Sequence, residues 1–149
     1  MKVEGSYKVP GPPETVYKQL LNPDALARAF PGCQSLTPHA DGGYDAEMSV
    51  GIAAVKGTYR GRVEILDQNP PERFRMRVSA HGKSGFLKGE GEIVLSGSGE
   101  ETTVSYSGET QVGGMIAAVG QRMIQAASRQ VVTQFFQAFA KQIKEGTLP

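Results

Sequence analysis

The sequence feature that most constrains the fold is an apolar stripe with helical spacing near the end of the chain. From Gly114 to about Lys144, apolar side chains recur every three or four positions, as on one face of an α-helix. The members of the stripe are Ile116, Val119, Met123, Ala127, Val131, Phe135 and Phe139. They predict one helix of about 30 residues, which is about 45 Å long at 1.5 Å per residue. A stripe of this length needs the face of a whole sheet to cover it.

The sheet itself is predicted by alternation of apolar and polar residues between Cys33 and Val112. In residues 73–80 the alternation is strict, which gives the strand one dry face and one wet face. Turn residues cluster at 41–43, 69–71 and 97–99. The stretch therefore predicts an antiparallel meander of six strands.

Before the meander, the chain predicts one more strand and two short helices. Residues 2–9 alternate weakly, and Pro13-Glu14 is a favourable helix start because proline is tolerated at the first helical position. Asn22-Pro23-Asp24 starts a second helix with asparagine as N-cap, and Pro31-Gly32 ends it. The order of elements predicts one α+β domain over residues 1–149, in which a seven-stranded curved antiparallel sheet wraps around the long C-terminal helix.

Composition excludes several classes of protein. The 149 residues are 39% hydrophobic and 21% charged, which fits one globular domain. The single cysteine, Cys33, cannot form an intramolecular disulfide, and the net charge of +1 predicts no nucleic-acid partner. The N-terminus lacks the pattern of a secretion signal, and the longest nearly apolar run, 113–120, is too short to cross a bilayer. We therefore expect a cytoplasmic protein.

Residues suited to catalysis are sparse. His39 and His81 have no acidic residue at a metal-ligand spacing, and Cys33 has no histidine near it in sequence. The Gly-Lys-Ser at 82–84 lacks the earlier glycine and the following helix of a phosphate-binding loop. The sequence thus predicts no catalytic residue, no metal and no cofactor.

Glycine is the informative residue within the strands. On the strand 86–95, Gly89 and Gly91 share a face with Leu87, while Gly61 and Gly108 fall on the same face of their own strands. Glycine weakens a strand, so inward glycines need a reason. Either the sheet bends sharply at these positions, or the space is kept open for a ligand, and both explanations stay open.

Methionines at the start of the long helix favour the ligand, because methionine adapts to irregular shapes. The inward register of the central strands carries no charge, so the predicted ligand is apolar, with Tyr59, Tyr106 or Thr110 as polar contacts. The predicted ligand-binding residues are Phe30, Tyr59, Gly61, Phe74, Met76, Phe86, Leu87, Gly89, Gly91, Tyr106, Gly108, Met115, Ile116, Val119, Met123 and Ala127.

The opposite face carries basic residues. Arg60 and Arg62 lie on one strand and Arg73, Arg75 and Arg77 on the next, so five guanidinium groups should lie together, with Glu64 as the main counter-charge. A solvated face is the plain interpretation. The alternative is docking to an anionic lipid surface or an acidic partner protein.

Several short motifs, in order along nearly the whole chain, resemble one family. They are FPGC at 30–33, VKGTYRG at 55–61, NPP at 69–71, GFLKG at 85–89 and QVGG at 111–114, with Gly120 further on. Together they resemble the CoxG family of carbon monoxide dehydrogenase, a branch of the START-like superfamily, also called SRPBCC, with the helix-grip fold.

The resemblance implies a non-catalytic accessory protein of carbon monoxide dehydrogenase or a related molybdenum hydroxylase. It also implies an apolar ligand, a quinone or a lipid, and a position at the inner face of the membrane. Family members often carry a longer C-terminal extension, and this sequence ends at Pro149, so we expect transient peripheral membrane contact. Two alternatives remain: an interaction domain with a filled interior, or a cyclase- or hydrolase-type enzyme that uses Tyr59, Tyr106 and His81.

Overall fold

The computed structural model describes residues 1–52 and 55–145, apart from the side chain of Ser98, and has the predicted α+β architecture. The elements in chain order are β1 (Lys2–Pro10), α1 (Pro13–Leu20), α2 (Pro23–Ala29), β2 (Cys33–Pro38), β3 (Tyr44–Val50), β4 (Gly57–Asn69), β5 (Arg73–Gly82), β6 (Gly85–Ser98), β7 (Glu101–Gly113), a 3-10 helix (Met115–Val119) and α3 (Gln121–Glu145).

The strands form one antiparallel sheet in the order β1-β7-β6-β5-β4-β3-β2. Strands β2 to β7 are a meander, and β1 returns to pair with β7 from Lys2 opposite Glu109 to Pro10 opposite Glu101. This confirms the predicted seven-stranded curved sheet with two short helices after the first strand.

The two short helices begin where their sequences predict. Pro13 is the first residue of α1. Asn22 caps α2, because its side-chain oxygen accepts a hydrogen bond from the Asp24 N–H at 3.0 Å. Both helices lie against the end of the sheet near α3, where Val16, Leu20 and Ala29 are buried.

The long helix starts later than its apolar stripe predicts. Gly114 and Gly120 have φ values of 82° and 94°, which lie outside the right-handed helical region, so residues 115–119 form a separate 3-10 turn and α3 begins at Gln121. The prediction of one helix from Gly114 was therefore wrong at its start. The stripe changes accordingly, since Val119 and Met123 are exposed and Ile124 takes the buried position.

The buried core occupies one end of the inner face, which we define as the face of the sheet that α1, α2 and α3 cover. Phe74, Leu95 and Val104 of the sheet are at most 5% exposed. They belong to one cluster with Phe135, Phe136 and Phe139 of α3. The rings of Phe135 and Phe139 stack at 5.5 Å between centroids, and Tyr17 meets Phe74 edge-on at 5.6 Å.

Candidate functional site

The inner face divides into two halves with different packing. The aromatic half contains Phe74, Leu95 and Val104 with the three phenylalanines of α3. On the four central strands the side chains of the core cluster, and those packed against it, extend to Val63 of β4, Phe74 of β5, Ile93 of β6 and Tyr106 of β7, and do not include the residues beyond them. Those residues form the glycine half, and all are half-buried: Gly61, Met76, Val78, Ala80, Leu87, Gly89, Gly91 and Gly108.

Strand register brings the glycine half together. Met76 lies opposite Gly91, which in turn lies opposite Gly108, and Val78 lies opposite Gly89. On the other side, Gly61 lies opposite Ala80. Gly89, Gly91 and Gly108 are thus neighbours on β6 and β7, and the apolar side chains of β5 separate them from Gly61 on β4.

The local geometry of these glycines shows why a side chain is excluded. A Cβ added at Gly61 would clash with the Ser79 carbonyl oxygen, and one added at Gly91 would lie 2.7 Å from the Ser107 carbonyl oxygen. At Gly108 it would lie 2.7 Å from the Glu90 oxygen. Adjacent strands therefore approach too closely for a Cβ, which favours bending of the sheet as the local cause. Because these positions carry no side chain, the backbone itself forms the surface of the inner face there.

The predicted ligand residues fall into four groups. Tyr59, Gly61, Met76, Leu87, Gly89, Gly91, Tyr106 and Gly108 are half-buried on the inner register. Phe74, Ile116 and Ala127 are buried, and Phe30 packs on Phe135 at 4.4 Å between ring centroids. Phe86 shares its register with Lys88, and its ring lies against Gly113. Met115, Val119 and Met123 are exposed.

Sequence reasoning left out two members of this site. Val78 and Ala80 lie on the same face as Met76 and stand opposite Gly89 and Leu87. The strict alternation of residues 73–80 was the signal that could have added them to the predicted ligand residues.

The polar groups predicted for the inner face are two phenols and the hydroxyl of Thr110, which lies opposite Gly89 and donates a hydrogen bond to the Met1 carbonyl at 3.2 Å. Tyr59 donates a hydrogen bond to the Val55 carbonyl at 2.7 Å. Burial raises the pKa of Tyr106, and Tyr7 nearby acts in the same direction, so this phenol is protonated at neutral pH. No hydrogen bond from Tyr106 to another group occurs within the described residues, so its O–H can donate to a ligand.

The residues named for the enzymatic alternative do not come together. His81 is exposed and lies opposite Arg60 and Phe86, on the outer register, whereas Tyr59 and Tyr106 are on the inner register. His39 lies beside Asp45, and 2.6 Å separates the Nε2 of His39 from the Oδ2 of Asp45. Among residues 1–52 and 55–145, no group of three or more acidic, histidine or cysteine side chains is placed to hold a metal ion.

The arginines of the outer face are arranged differently from the prediction. Arg60 and Arg62 lie opposite His81 and Ser79, while the other three lie further along the hairpin, with Arg77 opposite Glu64. The prediction that all five lie together was therefore wrong.

Glu64 is also not their main counter-charge. Arg60 pairs with Glu47 and Arg62 with Asp41. The remaining ion pairs join Arg73 to Glu92, Arg75 to Glu90 and Glu92, and Arg77 to Glu64 and Glu90, at 3.5 to 4.0 Å between nitrogen and oxygen. The outer face is thus a network of paired charges. The Gly43 N–H and Arg62 both lower the pKa of Asp41, which keeps one of these carboxylates ionised.

A groove of about 560 Å³ also lies on the outer face and was not predicted. Polar side chains form most of its wall, including Ser35, Thr37, Glu47, Arg60 and His81. A second groove of about 380 Å³ lies beside Pro13 and Pro71. Of the glycine half, the wall of the larger groove includes only Gly61, and the polar side chains around it do not suit an apolar ligand.

Solved structures with the same fold define the class of this protein. A START superfamily protein from Mycobacterium smegmatis superposes with a TM-score of 0.73 at 10% identity, covering 97% of each chain. A protein from Thermus thermophilus gives the same TM-score at 16% identity and covers 98% of this chain and 99% of its own. The fold is START-like, with the sheet curved around a long C-terminal helix.

The sequence narrows this class to one family. The model of the carbon monoxide dehydrogenase G-subunit family, CoxG, matches residues 5–144, and the chain belongs to that family. A conserved protein from Geobacillus kaustophilus is 34% identical, with a TM-score of 0.94 over 97% of this chain and 96% of that one. No curated protein matches the sequence. Within the described residues, no helix is long and apolar enough to span a membrane.

Proposed function

We propose that this chain binds an apolar ligand, a quinone or a lipid, against the glycine half of its inner face, and does so as an accessory protein of a carbon monoxide dehydrogenase or a related molybdenum hydroxylase. Membership of the CoxG family together with the START-like fold supports the accessory, non-catalytic role. The ligand is the finer part of the proposal and follows from the packing of the inner face.

One observation carries the ligand proposal. Met76, Val78 and Leu87 point to the face that the helices cover, yet they are half-buried and lie outside the core cluster. A domain of this size normally buries such side chains, because removing apolar surface from water stabilises the fold by about 25 cal/mol per Å². A bound apolar molecule would cover them and supply that missing contact.

The phenol of Tyr106 indicates which polar group the ligand should carry. Its hydroxyl lies over Gly5, since a Cβ added there would be 2.6 Å from the oxygen. A protonated phenol donates a hydrogen bond and cannot act as a base at neutral pH. The ligand that fits best therefore carries an acceptor oxygen, such as a carbonyl, on an otherwise apolar body.

A pair of neighbouring substitutions tests the ligand proposal. Val78→Trp places an indole on the inner face, whereas Ser79→Trp places the same group on the outer face one residue away. We expect Val78→Trp to weaken binding of menaquinone or a fatty acid about tenfold or more, because overpacking costs about 1 to 3 kcal/mol. Ser79→Trp should bind as the unmodified chain does.

Native mass spectrometry of freshly purified protein provides the second readout. A retained hydrophobic molecule should be present in the unmodified chain and in Ser79→Trp, and absent from Val78→Trp. If no such molecule is retained, and neither menaquinone nor fatty acid co-elutes with the unmodified chain, the ligand proposal is wrong. In that case the interaction domain with a filled interior is the better description.

A further inference from the structure

We infer that the larger groove of the outer face binds a small soluble molecule, which carries a phosphate group on a polar body. Four side chains hold the phosphate, and we call them the donor quartet: Arg60, Arg62, Ser79 and His81. All four line the groove of about 560 Å³, a volume typical of small-molecule sites. The quartet lies on the opposite face of the sheet from the proposed apolar ligand, so the inference goes beyond the proposed function.

Strand register makes the quartet compact. Arg60 lies opposite His81, and Arg62 lies opposite Ser79, in the pairing of β4 with β5. Opposite side chains on antiparallel strands start about 5 Å apart, and alternate positions on one strand start about 7 Å apart. The four side chains therefore begin at the corners of one small rectangle. The two arginines are long enough to meet an ion of phosphate size above it.

The quartet keeps hydrogen-bond donors that the rest of the described chain does not use. Each of its two arginines contacts a single carboxylate, through one nitrogen of the guanidinium group. Among residues 1–52 and 55–145, neither Ser79 nor His81 forms a hydrogen bond or an ion pair. A guanidinium group has five N–H donors and no acceptor. Most donors of the quartet are thus open to a ligand.

The charges around the quartet favour an anion on the side of β5. Lys88 lies opposite Ser79 on β6, and its ammonium forms no ion pair with a carboxylate of the described residues. The carboxylates in the wall of the groove, Asp45 and Glu47, lie on β3. Asp45 is already in contact with His39, and Glu47 with an arginine of the quartet. An anion between the quartet and Lys88 therefore meets cations first.

The arrangement of the donors favours phosphate over carboxylate. A guanidinium group forms two parallel hydrogen bonds with the oxygens of a phosphate. A phosphate monoester has three terminal oxygens and nearly two negative charges at neutral pH, so it accepts from several directions at once. A carboxylate has only two oxygens, which lie in one plane. Donors at four corners suit the group with more acceptor directions.

The rest of the groove indicates the body of the ligand. Beyond the quartet, its wall includes the hydroxyls of Ser35 and Thr37 on β2 and the carboxylates of Asp45 and Glu47 on β3. These oxygens accept hydrogen bonds, so the body should carry hydroxyl or amino groups. Among the described residues that line the groove, none is aromatic. A polyol phosphate fits these groups, and glycerol phosphate is the simplest probe.

Two-dimensional NMR of isotope-labelled protein tests the site directly. We expect glycerol phosphate to shift the amide signals of the quartet in a saturable way. Inorganic phosphate should do the same with lower affinity, because it lacks the body. Glycerol, and potassium chloride at the same ionic strength, should not. If neither phosphate compound gives a saturable shift at the quartet, the inference is wrong.

A matched pair of double variants tests the arginines. Arg60→Gln with Arg62→Gln should weaken glycerol phosphate binding about tenfold or more, because hydrogen bonds between charged groups are lost. Arg73→Gln with Arg75→Gln makes the same charge change outside the groove. Arg75 is about 13 Å from Ser79 along the strand, beyond the screening length of about 8 Å at physiological salt, so affinity should change little. Equal weakening by both pairs would overturn the inference.

A serine pair gives an independent test that leaves every arginine in place. Ser79→Glu introduces a carboxylate into the quartet and should abolish glycerol phosphate binding by repulsion. Ser107→Glu makes the same change at another exposed serine, opposite Glu92 on β6, and should keep it. Retained binding in Ser79→Glu would contradict the inference, provided that calorimetry shows the same affinity as for the unmodified chain.

Further arms separate this inference from the proposed function and from a lipid headgroup. Ser79→Trp should lose glycerol phosphate and keep the apolar ligand, whereas Val78→Trp should do the reverse. If Ser79→Trp keeps glycerol phosphate, the phosphate site is wrong while the apolar ligand proposal stands. Vesicles that contain phosphatidic acid present the same phosphate monoester on a lipid. If they bind through the quartet and soluble glycerol phosphate does not, the ligand is a headgroup, which also overturns the inference.

Discussion

Leu95 and Leu87 lie on the same face of one strand, in the two different halves of the inner face. Leu95 is 5% exposed and belongs to the core cluster with the α3 phenylalanines, whereas Leu87 is half-buried and lies outside it. Both leucines follow the same alternation, so both side chains point to the inner face. The difference comes from the side chains that cover this face. The phenylalanines of α3 belong to the same cluster as Leu95, and that cluster does not extend to Leu87.

Truncation of the two leucines gives the largest expected contrast. We expect Leu95→Ala to lower the free energy of unfolding by about 3 kcal/mol, within the range for buried leucines. Leu87→Ala should lower it by about 1 kcal/mol, because much of its surface is already in water. Urea denaturation of ligand-free protein measures both values. Equal losses would show that the two halves are packed alike, and the distinction between them would fail.

Adding ligand should give a second difference between the Leu87→Ala and Leu95→Ala variants. A molecule that binds only the folded state at about 100 times its dissociation constant stabilises it by about 2.7 kcal/mol. If the ligand covers Leu87, this gain should shrink in Leu87→Ala and stay nearly constant in Leu95→Ala. The measurement is the shift in unfolding midpoint with and without menaquinone.

A second pair of variants separates the two explanations for the inward glycines. Gly108→Ala should destabilise the protein by about 1 to 3 kcal/mol, because the added Cβ meets the Glu90 carbonyl at 2.7 Å and the Gly91 Cα at 3.0 Å. Gly99→Ala is the control, since a Cβ there meets nothing within 4 Å, and its stability should change by about 0.5 kcal/mol.

The result distinguishes the two explanations for the inward glycines, which are bending of the sheet and space kept open for a ligand. If Gly108→Ala keeps full stability and loses only ligand affinity, the glycine preserves space and does not serve curvature. If stability falls as predicted, glycine variants cannot report on the ligand site, and substitutions such as Val78→Trp must do so.

The sequence predicted this fold well where the signals are local. Alternation in residues 73–80 identified the inner face of β5, and Asn22-Pro23-Asp24 identified the capped start of α2. The start of α3 was missed because helical spacing continues across Gly114 and Gly120, and a stripe does not reveal their positive φ. The exposed positions of Met115 and Met123 follow from the same break.

The partners of the arginines were missed for a different reason. Arg75 and Arg77 meet Glu92 and Glu90 through the register of β5 with β6, in which Gly82 lies opposite Gly85. A two-residue turn therefore fixes this pairing, and alternation alone does not supply it. Register was the missing information, and the turn at residues 83–84 was the signal that could have given it.

Substitutions on the outer face should have the smallest effect on stability. They test whether the arginines predicted to dock a partner contribute to binding it. Reversing Arg62, Arg75 and Arg77 to Glu should cost stability only modestly, because exposed ion pairs contribute about 0 to 1 kcal/mol each. We expect capture of the dehydrogenase to weaken if this face docks it. Reversal of Lys18, Lys141 and Lys144 makes the same charge change elsewhere and serves as the control. Each arginine already has a carboxylate partner, so an acidic partner protein must displace that carboxylate. Equal capture by both triple variants would remove the arginines from the docking surface.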